Sequence, residues 1–553
     1  MNYRKLLEFE EMRFRLQGIA DEAAIRFSKS CFTPVIRDYL DFSTALCDPS
    51  GRVVVQGFAL PLHLGAIPTA ILAVLDVFPD GLGEGDVAIL NDPYQGGMHL
   101  PDIFVVAPAF ADGQCVGYCV LVAHHGDIGG RVPGGSAADS TEIFQEGLRI
   151  PPVLLYERGA LNTPLASLVR ANTRLPEFLW ADLEAQVAGA QQAAGLMGGV
   201  VEEHGITGFQ SAVELLLDNT SQRLDAELAS WPAGRFEFED YEDHDGIEEQ
   251  LVAIRVAVTI AEGSVTFDFS GSAPQVGGAI NATRSFTESA CYAALRSLCR
   301  DEIPVNDGFT RRVTVHTPER SVVDVSFPGA VAARGVIGYR IIDAVFGALA
   351  AALPDRVPAA GDGGVSGLRI GGVRDEGQRY QFNDLVCGAW GARPNRDGVD
   401  GAAPMAANVA NRPVEMIERE DPVRILAYRF VADSEGAGRW RGGLAIERVV
   451  ELLAPNGTLQ LRTHRRRRPP YGLAGGDEGT TSDAWLIRDG VRSILPAKVT
   501  LALTRGDIVG HRIAGGGGFG PPMERDPVLV EKDVVEGKVS MEKAEEVYGW
   551  GPA

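Results

Sequence analysis

The sequence contains no GxxxxGK[ST] loop. The chain therefore lacks the glycine-rich turn that cradles nucleotide phosphates in P-loop enzymes. Cysteine is scarce too: Cys31, Cys47, Cys115, Cys119, Cys291, Cys299 and Cys387 are scattered, and no two are spaced as CxxC. An odd, unclustered set excludes a zinc ribbon or a thioredoxin-like motif, and reads as reduced, mostly buried thiols in a cytosolic protein. Basic residues are outnumbered, with 51 Lys and Arg against 74 Asp and Glu, so 51 − 74 = −23. Such a surface argues against nucleic acid and anionic membrane as partners. No apolar run is long enough to cross a bilayer; the most apolar, Ala344 to Leu353, is far too short. The charged opening around Glu8, Glu10 and Glu11 has no apolar core like that of a signal peptide. The expectation is a soluble, cytoplasmic protein.

What is present is an ordinary globular balance, 45% apolar and 23% charged, over 553 residues. Disorder is excluded by that balance, and the length corresponds to roughly three to four domains' worth of core. Residues 3–30 read as an amphipathic helix. Asp41 to Val55 reads as a hairpin turning at Asp48-Pro49-Ser50-Gly51. Helices are expected at Pro68 to Val77, across 164–231, and at Phe286 to Leu298 and Gly338 to Leu353. Strands are expected at Phe236 to Phe238, Leu251 to Ile260, Ser264 to Phe269, Leu459 to Thr463 and Ala484 to Ile487, and one helix at Met541 to Tyr548. Helices and antiparallel strands fall in separate blocks, which predicts an α+β fold. The expected organisation is an N-terminal α+β region with a metal-site hairpin (1–160), a helical segment (161–232), a mixed region (233–420) and a Gly-rich β region ending in a helix (421–553).

The most informative stretch is NDPYQGGMHLPDIFVVAPAFADGQCVGYCVLVAHHGDIGG, from Asn91 to Gly130. Two apolar runs, Ile103 to Phe110 and Val116 to Ala123, flank Ala111-Asp112-Gly113-Gln114. An Asp-Gly step between apolar runs is a strong hairpin signal. If Phe110 faces Cys115, paired positions sum to 225, so Asp102 faces Ala123 and Pro101 faces His124. His99 and Asp102 then enter the hairpin at the end where His124 and Asp127 leave it, within ~5 Å across a pair. Two imidazoles with one or two carboxylates suit a divalent transition metal (Zn, Mn or Fe) with a position open for water or substrate. His125 alternates to the opposite face and is not counted as a ligand. Asp92 follows the strand Val87 to Leu90, and its role as ligand, orienter or turn residue stays open. Asp127 or Asp92 is a candidate general base, provided it reaches the bound water.

Elsewhere, His63, set between Leu62 and Leu64, is either a buried core histidine or a substrate contact near the metal. Arg334 and Arg340 flank Gly335 and Gly338 and could bind an anion, or simply pair at the surface. The run Arg465 to Arg468 on so acidic a chain reads as a solvated loop, an anion clamp or a salt-bridged subunit contact rather than a nucleic-acid patch, with the subunit contact favoured. Gly515 to Gly518 is a poor phosphate cradle because no strand leads into it and no helix follows.

Several segments resemble the hydantoinase B family, which includes the B subunit of ATP-dependent N-methylhydantoinases, the C-terminal half of 5-oxoprolinase and the alpha subunit of acetone carboxylase. They are Arg37-Asp38-Tyr39-Leu40-Asp41-Phe42-Ser43-Thr44-Ala45-Leu46, Leu60-Pro61-Leu62-His63-Leu64-Gly65, Asn91-Asp92-Pro93-Tyr94 with Gly97-Met98-His99-Leu100-Pro101-Asp102, His124-His125-Gly126-Asp127-Ile128-Gly129-Gly130, Asp268-Phe269-Ser270-Gly271, and Gly515 to Gly520 with Asp526-Pro527. The resemblance covers the whole chain. It implies a metal held by His99, Asp102 and His124, with Asp127 as fourth ligand. It also implies an A-type partner that binds ATP and phosphorylates the substrate. The B-type subunit then hydrolyses a cyclic amide of hydantoin or 5-oxoproline type or, in the carboxylases, carboxylates a phosphorylated enolate. A non-catalytic scaffold stabilised by a closed metal site is the alternative of a different kind.

Overall fold

The computed structural model describes residues 3–261, 263–407 and 409–551. The opening helix Tyr3–Ser30 lies against the first strands of a seven-stranded antiparallel sheet. Its strands are β1 (Phe42–Cys47), β2 (Val53–Ala59), β3 (Val87–Leu90), β4 (Asp102–Ala111), β5 (Gln114–His124), β6 (Val153–Glu157) and β7 (Ala160–Leu161), in the spatial order β2-β1-β5-β4-β3-β6-β7. The turn at Asp48 to Gly51 is made as its sequence demands: Asp48 Oδ1 accepts from the backbone of Ser50 and Arg52, and Gly51 takes φ 85°.

β4 and β5 are apolar without interruption because both faces of the sheet are covered. Phe104, Val106, Val120 and Val122 join one core, with the helix Ala66–Val77. Ile103, Val105, Leu121 and Ala123, one residue out of phase, join a second core with the helices Tyr3–Ser30 and Pro176–His204. Each such side chain contributes about 1.5–3 kcal/mol on burial. The central hairpin is therefore held rigidly from both sides, and the residues at its open end inherit that rigidity.

A second sheet comprises β8 (Gly234–Glu242), β9 (Val252–Ala261), β10 (Ser264–Asp268) and β11 (Val313–His316), in the order β11-β10-β9-β8. The helix Gly335–Leu349 packs on β8, β9 and the helix Arg284–Leu298. The last third carries a four-stranded sheet of β12 (Val365–Val373), β13 (Arg379–Cys387), β16 (Asn456–Arg462) and β19 (Lys498–Thr504). Beside it is a five-stranded one of β14 (Val423–Phe430), β15 (Ile446–Leu452), β17 (Asp483–Arg488), β18 (Val491–Ile494) and β20 (Ile508–Arg512). The fold is α+β, with several antiparallel sheets and segregated helices.

Three expectations are corrected. The C-terminal tail holds two helices rather than one, Pro527–Val535 and Met541–Glu546. The first is set by Asp526, whose side chain accepts from Val528 N, with Pro527 in the first helical position. Arg465 is not a subunit contact: it is buried and pairs with Asp240 and Asp343 at 2.9 and 2.7 Å. Arg340 is likewise taken by Asp240 and Asp343, both at 3.1 Å. Gly516, Gly517 and Gly518 donate to the carbonyls of Gly443, Ala360 and Asp477, so this run is a close-packed crossing.

Among the described residues no helix is long and apolar enough to cross a membrane. All seven cysteines are free thiols, and only Cys115 is not buried.

Candidate metal centre

Three adjacent strand ends meet at one edge of the first sheet. β1 begins just after Asp41, β5 ends at His124, and β4 begins at Asp102. The backbone locks them together: His124 N donates to Asp41 O (3.0 Å) and His125 N to Pro101 O (2.8 Å). The loop before β4 is stapled by Asn91. Its amide donates to Leu100 O and Leu148 O, and its oxygen accepts from Ile150 N. That loop delivers His99, whose carbonyl accepts from Asp102 N at 3.1 Å.

The β4–β5 register differs by one residue from the expected one. Phe110 pairs with Cys115 as predicted, but a bulge follows, and Ala109 pairs with Gly117. From there on Asp102 faces His124 itself, not Ala123. The physical reason lies at Gly117, whose φ is 156° and where a Cβ would stand 2.3 Å from Cys47 O. The extra residue relieves the approach of β1 and shifts every later pair by one.

His99, Asp102 and His124 are buried, and one potential ligand atom from each lies within 4.8 Å of the others. Asp102 Oδ2 is 2.9 Å from His99 Nδ1, and Asp102 Oδ1 is 3.1 Å from His124 Nδ1. The two rings stand 4.9 Å apart, tilted by 41°. Nδ1 of His99 is buried without an aligned hydrogen bond, despite its closeness to the carboxylate. Two nitrogens and a carboxylate gathered out of water, one of them lacking an aligned partner, fit a divalent transition metal.

The electrostatics agree with that fit. Burial pushes the pKa of His99 well below its usual value, helped by the nearby Arg334, so the ring stays neutral as a ligand must. Burial works against the charged form of Asp102, but His99, Arg334 and the His124 bond prevail and hold it well below the usual range. Arg334 caps Asp102 Oδ2 with a charge-assisted hydrogen bond while its guanidinium lies 4.5 Å from the Phe286 ring centre.

The other candidates fall differently. Asp127 is not in the cluster. Its two oxygens accept from Gly129 N, Gly134 N and Arg174 N, from Thr173 Oγ1 and from the Arg174 guanidinium. It ties its own loop to the segment after Ala171, which leaves it neither a ligand nor a base in this arrangement. Asp92 caps its own turn through Tyr94 N and Gln95 Nε2, and pairs with Arg149 at 3.2 Å. His63 is brought to the site: its Nε2 is 3.9 Å from both Asp102 Oδ2 and Asp41 Oδ1. Ser43 Oγ accepts from Leu60 N and lies 2.9 Å from His63 Nδ1. With the hydroxyl as donor to Nδ1, neutral His63 carries its proton on Nε2, the nitrogen that faces the two carboxylates. Burial lowers the pKa of His63, which favours that neutral form. His125 points away and bonds to Gln186 at 3.0 Å.

The cluster opens into a cavity of about 90 Å³ whose lining includes Asp41, His99, His124, Arg334, Arg369 and Arg462. Its far wall belongs to β12 and β16, more than two hundred residues downstream. Sequence reasoning missed Asp41, Arg369 and Arg462. Asp41 stood in a segment singled out for its resemblance. The two arginines carried no local signal, being single basic residues in ordinary strands.

The family model described as Hydantoinase B/oxoprolinase matches residues 6–522. The caprolactamase subunit beta of Pseudomonas jessenii is 30% identical over 557 residues, 97% of this chain and 94% of that protein. The crystal structure of the ATP-dependent caprolactamase from Pseudomonas jessenii superposes with a TM-score of 0.93 at 28% identity, covering 98% of this chain and 96% of the other. A nucleotide-free structure of acetone carboxylase superposes with a TM-score of 0.90 at 20% identity, over 99% of this chain and 80% of the other, a likeness of fold.

Proposed function

This chain belongs to the hydantoinase B/oxoprolinase family, and from that premise we propose that it is the metal-binding B-type subunit of an ATP-dependent cyclic-amide hydrolase. The substrate is a lactam- or hydantoin-type ring whose carbonyl oxygen an A-type, ATP-binding partner has phosphorylated. The observation that carries this reading is the buried His99, Asp102 and His124 cluster opening into a cavity. The sequence has no P-loop, and one relative is named as a beta subunit, which supports a separate ATP-handling partner.

His99, Asp102 and His124 would hold a Zn, Mn or Fe ion, which supplies Lewis acidity and a bound water of lowered pKa. The remaining chemistry falls to the chain. Asp41 lines the cavity and is the carboxylate placed to take a proton from water as that water adds to the activated carbon. Loss of the ring nitrogen as an amine opens the ring and leaves an acyl phosphate. A second water releases the carboxylate and inorganic phosphate. His63 directs its Nε2 proton toward Asp41 and Asp102 and orients both. Arg334 fixes the Asp102 carboxylate from behind.

The test is reconstitution with the ATP-binding partner and a panel of cyclic amides. ATP-dependent ring opening that His99→Ala abolishes, while the partner still turns over ATP, supports the reading. Full ring opening in His99→Ala contradicts it, as does bicarbonate carbon appearing in the product, which favours carboxylation.

A further inference from the structure

Buried guanidinium groups are nearly always met by carboxylates, because an uncompensated charge out of water is costly. Most internal arginines here obey that rule: Arg340 and Arg465 face Asp240 and Asp343, Arg448 faces Asp384, and Arg441 faces Asp400 and Asp533. Two that line the cavity, the buried Arg369 and the half-buried Arg462, do not. Arg369 spends its donors on neutral acceptors: Asn383 Oδ1 (2.8 Å), Gly134 O (3.2 Å), Ser136 Oγ and His124 Nε2 (3.3 Å). Arg462 has neither a hydrogen bond nor an ion pair among the described residues.

Their placement is built. β12 and β16 pair antiparallel, with Gly367 directly opposite Arg462. A Cβ on Gly367 would stand 3.0 Å from Arg462 Nη2, so the missing side chain leaves room for the guanidinium. Arg369 lies two residues further along β12 and therefore on the same face. The first turn of the helix Gly335–Leu349, at Arg334 to Val336, reaches the same cavity with its positive end. Neither guanidinium has a carboxylate at ion-pair distance; Asp41, on the opposite wall of the cavity, is the nearest uncommitted one.

We propose that Arg369 and Arg462 form a clamp for a phosphoryl dianion, holding the phosphate of the activated substrate against the His99, Asp102 and His124 cluster. The inference rests on the reading of a phosphate-activated substrate and gives that substrate its binding residues. The charge count selects the ligand class. Arg334 is paired with Asp102, and the two remaining guanidiniums, neither ion-paired, face the cavity with Asp41 as its one other carboxylate, so a dianion matches them better than a single carboxylate does. Arg369 also touches His124, so a bound phosphate is coupled to the orientation of a metal-site imidazole.

The experiment measures binding of inorganic phosphate and of acetate to the full chain by calorimetry, both metal-loaded and after chelation. Wild type is compared with Arg462→Gln and Arg462→Lys. The Arg462 side chain makes no hydrogen bond or ion pair among the described residues, so its replacement is expected to leave melting temperature and metal content unchanged. The expected result is phosphate binding in both states, weakened by about 10- to 100-fold in Arg462→Gln, partly restored in Arg462→Lys, with acetate weaker by a similar factor. Phosphate bound equally by wild type and Arg462→Gln overturns the clamp. So does acetate binding as tightly as phosphate, or phosphate binding that vanishes on chelation. Turnover is not the readout: intact phosphate binding without ATP-dependent ring opening contradicts the proposed function alone, and ring opening in a chain whose phosphate binding ignores Arg462 contradicts the clamp alone.

Discussion

Asp102 and His124 face one another across the β4–β5 ladder, with Oδ1 3.1 Å from Nδ1. A one-residue bulge at the far end of the same hairpin produces that opposition. The candidate metal centre is thus set by backbone register as much as by the identity of its side chains.

Gly117→Ala tests that link. The added methyl would meet Cys47 O at 2.3 Å and Met197 Cε at 2.5 Å, at a φ that side chains avoid. The variant is expected to lose stability and metal occupancy together, although Gly117 lies at the other end of the hairpin. Denaturant melts with elemental analysis check it; unchanged metal content in a destabilised variant contradicts the register argument.

Asp41→Asn separates binding from chemistry. Asp41 lines the cavity but is not one of the three clustered ligand candidates. Its amide is expected to keep the metal and lower kcat of the reconstituted enzyme by about 10²–10⁴-fold. Wild-type kcat in this variant removes Asp41 as the base.

Asp127→Ala is expected to behave as a structural lesion. The buried carboxylate anchors Gly129, Gly134, Thr173 and Arg174, and losing it leaves backbone donors unpaired at a cost of about 1–3 kcal/mol. Urea unfolding should show the loss while the remaining folded protein keeps its metal. Loss of metal at full stability would restore Asp127 as a ligand.

Glu146 gives a pH prediction. It is buried, accepts from Val331 N and Ala332 N through Oε1, and burial pushes it up to about 8. A raised folded pKa means the folded chain binds the proton more tightly than the unfolded one. The resulting stability is full below the ordinary value of 4.5 and is lost as pH rises toward about 8. Glu146→Gln keeps an acceptor oxygen and has no charge to bury. Its melting temperature is expected to fall less than that of wild type between about pH 5 and about pH 8. Parallel pH profiles contradict this.

Much of this was legible in the sequence because it was local. The Asp112-Gly113 turn, the apolar runs on either side and the positions of His99, Asp102 and His124 all lie within forty residues, so periodicity and turn chemistry bring them together. The exact register was not legible, since the bulge answers to Cys47 on another strand. Asp127 looked like a ligand because it is close in sequence to His124, yet five backbone and side-chain donors hold it elsewhere. Arg369 and Arg462 were invisible because their meaning depends on β12 and β16 folding over a hairpin more than two hundred residues earlier.

The most direct measurement is bound metal in the purified chain, by elemental analysis of wild type beside His99→Ala and His124→Ala. About one Zn, Mn or Fe per wild-type chain, lost by a factor of ten or more in both variants at preserved fold, is the predicted result. A wild-type chain that takes up no metal after supplementation, or variants that retain it fully, would contradict the account at its centre.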